Sequence, residues 1–161
     1  MDSEYKLSNV TETYLDTYNT ILNTMINEMT SVPLTNSISN NFIEQMIPHH
    51  QAAIEMSQNI LKYTTNLEVQ DIASNIISSQ TKSIANMRAA QPFCRMVTNN
   101  NYELAIYMRE FEMIAQTMFF EMASAPVTNG VNANFLREMI PHHEGAVRMS
   151  NNALQFNICP G

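Results

Sequence analysis

Apolar residues recur along this chain at three- and four-residue steps in five separate stretches, the spacing of amphipathic helices. Leu7, Val10, Tyr14, Tyr18, Ile21, Met25 and Met29 place a first helix over roughly residues 5 to 31, ended by Pro33 and Asn36. Phe42, Met46, His49, Ala53, Met56 and Ile60 form a second stripe, and Val69, Ile72, Ile76, Ser83 and Met87 a third. After the polar connection "VTNNNY", Leu104, Tyr107, Phe111, Ile114, Met118 and Met122 describe a fourth helix. Phe135, Met139, His142, Ala146, Met149 and Ala153 describe a fifth. Pro48 and Pro141 interrupt the second and fifth stripes. A proline inside a helix removes one hydrogen bond and crowds the carbonyl four residues back, here Glu44 or Arg137, at about 3 kcal/mol. Either each helix starts at its proline, or it runs through and kinks just before its histidines. The unbroken apolar run from Phe42 to Ile60 favours the kink.

The pattern repeats. Aligned without gaps, residues 24 to 61 and 117 to 154 are identical at 20 of 38 positions. "NFIEQMIPHH" is answered by "NFLREMIPHH", and "TMINEMTSVPLTN" by "TMFFEMASAPVTN". Such a long period means that a whole helical module was duplicated. Nothing after "FNICPG" corresponds to the third helix, so the duplication is incomplete. The expected architecture is all-α: one domain over residues 1–161, an antiparallel bundle of about five helices. It comprises a complete module over about 5–90 and a partial one over about 100–161.

Composition agrees with that class and removes several functions. Three glycines and no tryptophan in 161 residues suit helices, and this length can bury a continuous core. A net charge of −7 with eight Lys and Arg offers no basic patch, which argues against nucleic acid. No apolar run is long enough for a membrane span, and "MDSEYKLSNV" lacks the basic start and apolar core of a signal peptide. No Ser, His and Asp arrangement or phosphate-cradling glycine loop is present, so turnover is not expected. Thirteen methionines are far more than such a chain ordinarily carries. They are either plastic core filler or thioether ligands for a soft metal.

Position bears on that choice. Met46, His49 and His50 sit at i, i+3 and i+4 and leave one side of the helix, and Met139, His142 and His143 repeat this. One copy reads equally as a core methionine with a hydrogen-bonded histidine, but two copies of a buried doublet favour metal. Hairpin register sets Met25 level with Met46 and brings Met87 near the same layer, so three thioethers and an imidazole converge. Met118 falls level with Met139 and His142, with no counterpart of Met87. The second site is therefore expected to be poorer, or completed from elsewhere in the bundle or from another subunit. Helical di-iron proteins place Glu three residues before His, and here a thioether stands in that place. Sulfur with imidazole suits Cu(I), and by analogy Ag(I), better than oxygen-seeking metals.

Met-Ile-Pro-His-His followed by Ala, a Met seven residues after the first His, and "LEVQDIASNIISSQTKSIANMR" together resemble the domain-of-unknown-function family 305. Members have a ferritin-like helical fold and include secreted or periplasmic, copper-binding CopM-like proteins. The resemblance covers residues 37 to 90 as a whole module and 130 to 154 as a partial one. It implies an antiparallel bundle that binds copper or silver through Met46, His49, His50 and Met56, then Met139, His142, His143 and Met149. The second copy lacks the closing helix of the pattern.

Met25, Met29, Met118 and Met122 lie on core stripes and read equally as packing or as auxiliary ligands, while Met96, Met108 and Met113 fall off the pattern. Cys94 and Cys159 read as one disulfide tying the third helix to the C-terminus, with free thiols or copper ligation as the alternatives. Glu44, Glu55, Glu138 and Glu144 read as solvated helix-face charges. The leading expectation is an extracytoplasmic protein, extracellular or periplasmic, that sequesters Cu(I) without turnover, either as a single chain or as a homodimer. Its rivals are a ferritin-like enzyme with a carboxylate-bridged metal pair and a purely structural or oligomerising bundle.

Overall fold

The computed structural model describes residues 6–160. It contains α1 (Asn9–Thr30), α2 (Ile38–Leu61), α3 (Leu67–Cys94), α4 (Asn101–Ala123) and α5 (Val131–Ala153), an all-α bundle. Four helix starts carry side-chain caps. Ser8, Ser37 and Asn66 each accept from a backbone N–H three residues on, and Asn100 forms a reciprocal capping box with Glu103. Among the described residues, no helix is long and apolar enough to cross a membrane.

Around the bundle α1 packs on α2, α2 on α5, α5 on α4 and α4 on α1, while α3 lies outside against α2. The core between the four inner helices is built from Tyr14, Met25, Met46, Met56, Tyr107, Met118, Phe135 and Met149, all essentially inaccessible. Methionine is thus a main constituent of this core, as expected of a flexible side chain filling irregular gaps.

The two modules are related by an approximate two-fold that the hydrogen bonds duplicate. Asn59 donates to the Tyr14 carbonyl at 3.0 Å, and Asn152 to the Tyr107 carbonyl at 3.0 Å. In each inter-helix turn an asparagine clasps a threonine backbone: Asn41 with Thr35, Asn134 with Thr128. Tyr14 packs edge-on against Tyr63, and Tyr107 against Phe156. Cys94 and Cys159 form a disulfide. Nearby, Ser37 donates to the Cys94 carbonyl and Cys159 N–H to Ser39 Oγ, pinning the C-terminal segment to the start of α2.

Three expectations need correction. The first helix begins at Asn9, after the Ser8 cap, so Leu7 lies outside it; residue 5 is outside the described residues. Val10 is 56% exposed, because Thr11 turns inward and donates to the Asn129 carbonyl. The inward line of α3 is Val69, Ala73 and Ile84, while Ile72 is exposed and Ile76, Ser83 and Met87 are half-buried. A helix packed on one neighbour alone needs only a narrow apolar stripe.

Candidate metal centre

Both prolines lie well inside their helices, Pro48 in α2 and Pro141 in α5, so neither helix starts there. In each case the chain continues into the histidine pair. Where α2 crosses α5, His49 and His142 stack face to face with ring centroids 3.6 Å apart. His49 Nε2 donates to the His142 carbonyl at 3.1 Å, and His142 Nε2 donates to the His49 carbonyl at 3.0 Å. The two-fold passes between these rings, and each module's histidine is bonded to the other's backbone.

The outer histidines fold back on their own helices. His50 Nδ1 donates to the Met46 carbonyl at 2.9 Å, and His143 Nδ1 to the Met139 carbonyl at 2.9 Å. A carbonyl only accepts, so each contact fixes the tautomer: Nε2–H for His49 and His142, Nδ1–H for His50 and His143. Each neutral ring keeps one nitrogen with an available lone pair. For His49 and His142 this atom, Nδ1, is buried without a partner. Burial holds both inner rings neutral, pushing His142 down to about 3 and His49 well below its ordinary value, with the neighbouring histidines adding to the effect. Burial also lowers His50.

All four imidazoles line one cleft of about 410 Å³, together with Met46 on α2 and Gln80, Ser83 and Met87 on α3. The duplicated motifs therefore meet at one place instead of forming one site in each module, because the two-fold sets α2 beside α5. Met46 and Met87 are the thioethers at this cleft. Met25, which helical register placed beside Met46, does not line it; like Met29, Met56, Met118, Met122, Met139 and Met149, it is packed in the core. Among the described residues, no three His, Cys, Asp or Glu side chains form a group able to hold a metal. A centre here would draw on thioethers as well as imidazoles.

The copies are unequal. His50 is half-buried beneath α3, whereas no helix among the described residues covers His143, which is exposed.

Glu138 is not a solvated charge. It is buried, accepts from the Tyr14 hydroxyl at 2.6 Å, and is pushed up to about 7 by burial. Its counterpart Gln45 accepts from the Tyr107 hydroxyl at 2.9 Å, so each module's tyrosine reaches the other module's α2 or α5. Burial also raises the Tyr14, Tyr18 and Tyr107 hydroxyls. The 93-residue offset that aligns His49 with His142 aligns Gln45 with Glu138 and Tyr14 with Tyr107, which was the available signal. Glu44 pairs with Arg95 and Glu144 with Arg148 at the surface, and Glu55 accepts from Gln51.

No curated protein and no solved structure matches the chain. Residues 16–91 match the sequence profile of a family, and this segment carries Met46, His49, His50 and Met87. That family is described as a domain of unknown function, DUF305.

Proposed function

We propose that this protein binds and sequesters a soft monovalent metal ion, Cu(I) and by the same chemistry Ag(I), outside the cytoplasm and without turnover. The observation that carries the reading is the single cleft that joins the thioethers of Met46 and Met87 to four imidazoles. Each imidazole has one N–H committed to a backbone carbonyl. That arrangement presets the tautomer and leaves the other nitrogen as a donor, the way backbone carbonyls orient metal-bound histidines. Thioether and neutral imidazole favour Cu(I) over Fe, Mg or Ca. The Cys94–Cys159 disulfide supports an oxidising compartment.

The test is anaerobic competition of the purified protein against a Cu(I) chelator. Wild type should retain copper, and Met46→Ala, Met87→Ala and His50→Ala should each weaken retention at least tenfold. Met56→Leu, in the core and away from the cleft, should not. Absence of retained copper in the wild type, or equal retention in all the cleft variants, would overturn the reading.

A further inference from the structure

The internal two-fold relates two cavities that lie away from the histidine cleft. One, of about 260 Å³, sits between α1, α2 and α4, and its lining includes Met29, Leu34, Gln45, Met108, Phe111 and Glu112. The other, of about 140 Å³, sits between α1, α4 and α5. The 93-residue offset matches those six residues with Met122, Val127, Glu138, Leu15, Tyr18 and Asn19, all of which line the second cavity. The place in the bundle is the same, but the polar groups have diverged.

In the first cavity Gln45 is engaged at both ends of its amide. Its Oε1 accepts from the Tyr107 hydroxyl at 2.9 Å, and its Nε2 donates to Met108 Sδ at 3.7 Å. In the second, Glu138 is only 2% exposed and accepts from the Tyr14 hydroxyl through Oε2. Among the described residues nothing donates to its Oε1, and no Lys, Arg or His pairs with the carboxyl. Such an oxygen, buried and without a donor, is uncommon in a folded protein. The Tyr18 hydroxyl directs its proton to the Met122 carbonyl at 3.0 Å, which leaves its oxygen able to accept. After burial, the charge of Glu138 is what raises that hydroxyl, so the two groups are neighbours. Asn134 has both ends of its side chain engaged with Thr128. The buried polar groups left to an occupant are therefore acceptors, and one of them is a carboxylate at pH 8. A donor that carries positive charge answers both needs. Leu15, Met122, Ala125 and Val127 make much of the wall apolar, which offers too few oxygens for Ca²⁺ or Mg²⁺. The volume is many times the roughly 10–15 Å³ that a single water requires, so an occupant of several heavy atoms fits.

We propose that the second cavity binds a small primary alkylammonium ion, its N–H groups on Glu138 Oε1 and Tyr18 Oη and its alkyl group against the apolar wall. Exposed Asn19 stands at the mouth. The first cavity, with Gln45 and Phe111 in the matching places, does not take this ligand. The cavity shares no lining residue with the histidine cleft, so the inference stands whether or not copper binds.

The test is an NMR titration of the metal-free protein at pH 8 with ethylammonium chloride, at ionic strength held constant with sodium chloride. The ceiling on affinity per heavy atom sets the expected Kd of so small a ligand near about 1 mM. Backbone amides of Ala123, Ala125 and Val127 should shift and saturate, while their first-module counterparts Thr30, Val32 and Leu34 should not. Tetramethylammonium, a cation without an N–H, should bind about tenfold more weakly or worse. Glu138→Gln should lose about tenfold or more in affinity, and Tyr18→Phe about threefold. Ala125→Leu, which fills the cavity and leaves Glu138 in place, should also abolish binding with an unchanged far-ultraviolet circular dichroism spectrum. No saturable shift in the wild type up to about 50 mM overturns the inference. So does binding that survives both Glu138→Gln and Ala125→Leu, and so does equal shifting of the two sets of amides. Equal affinity for tetramethylammonium, or the same shifts with potassium chloride, overturns the assignment of a primary ammonium.

Discussion

Replacing Glu138 by Gln copies into the second module the residue that the first module uses at position 45. Burial raises the native carboxyl from 4.5 to about 7, so between those values the folded protein holds a proton that the unfolded chain has released. The sign follows from linkage. The stability this group contributes is full below pH 4.5 and is lost as the pH rises through about 7. At 1.36 kcal/mol per unit, ionisation of this carboxyl removes about 2.5 kcal/mol of stability between pH 5 and pH 8. Gln cannot ionise, can still accept from the Tyr14 hydroxyl, and escapes that loss. Urea unfolding of both proteins at the two pH values should therefore show the variant gaining about 2.5 kcal/mol on the wild type from pH 5 to pH 8. In thermal unfolding the same gain is about 5–10 °C. The buried histidines titrate in both proteins and cancel in the difference. A relative stability that is independent of pH to within about 0.5 kcal/mol would refute the placement of an ionisable carboxyl in this environment.

Other outcomes test other parts of the structure. Long-range nitrogen–proton NMR correlations at pH 7.5 should show Nε2–H tautomers for His49 and His142 and Nδ1–H for His50 and His143; any other set contradicts the carbonyl contacts. In the Glu138→Gln background, stability should fall as pH drops from 6.5 towards 3. There the unfolded chain takes up protons that His49 and His142 refuse, at up to about 1.4 kcal/mol per pH unit for each ring. A flat urea-unfolding profile over that window would contradict their burial. Cys94→Ser with Cys159→Ser opens a link spanning 65 residues and should cost about 4 kcal/mol in urea unfolding. Tyr107→Phe should cost about 1–2 kcal/mol at every pH, since it leaves Gln45 without its donor. Tyr14→Phe should cost more above pH 7 than below, because its partner there is charged.

Much of the architecture was legible in residue spacing. The stripe from Phe42 to Ile60 defined α2 on both sides of Pro48, and the repeated "NFxxxMIPHH" identified α5 as its copy. Spacing specifies which face of a helix is apolar, but not which helix that face meets. Register within one hairpin thus placed Met25 beside Met46, whereas the cleft is made by α2, α3 and α5 from both modules. The Gln45 and Glu138 pairing was hidden for a related reason. A polar residue on a core stripe reads as a surface charge until its partner, here a tyrosine from the other module, is known. Val10 failed for a local reason: near a helix start, one step of rotation exchanged it with Thr11.

The disulfide also determines what a protease can do to this molecule. Cys94 and Cys159 enclose α4, α5 and every turn between them in one covalent ring. A single cut anywhere from residue 95 to 158 opens the ring but releases nothing, since both pieces stay tethered to the end of α3. Cleavage in the second module would pass unseen on a non-reducing gel and show only after reduction, whereas a cut in the first module would separate the chain at once.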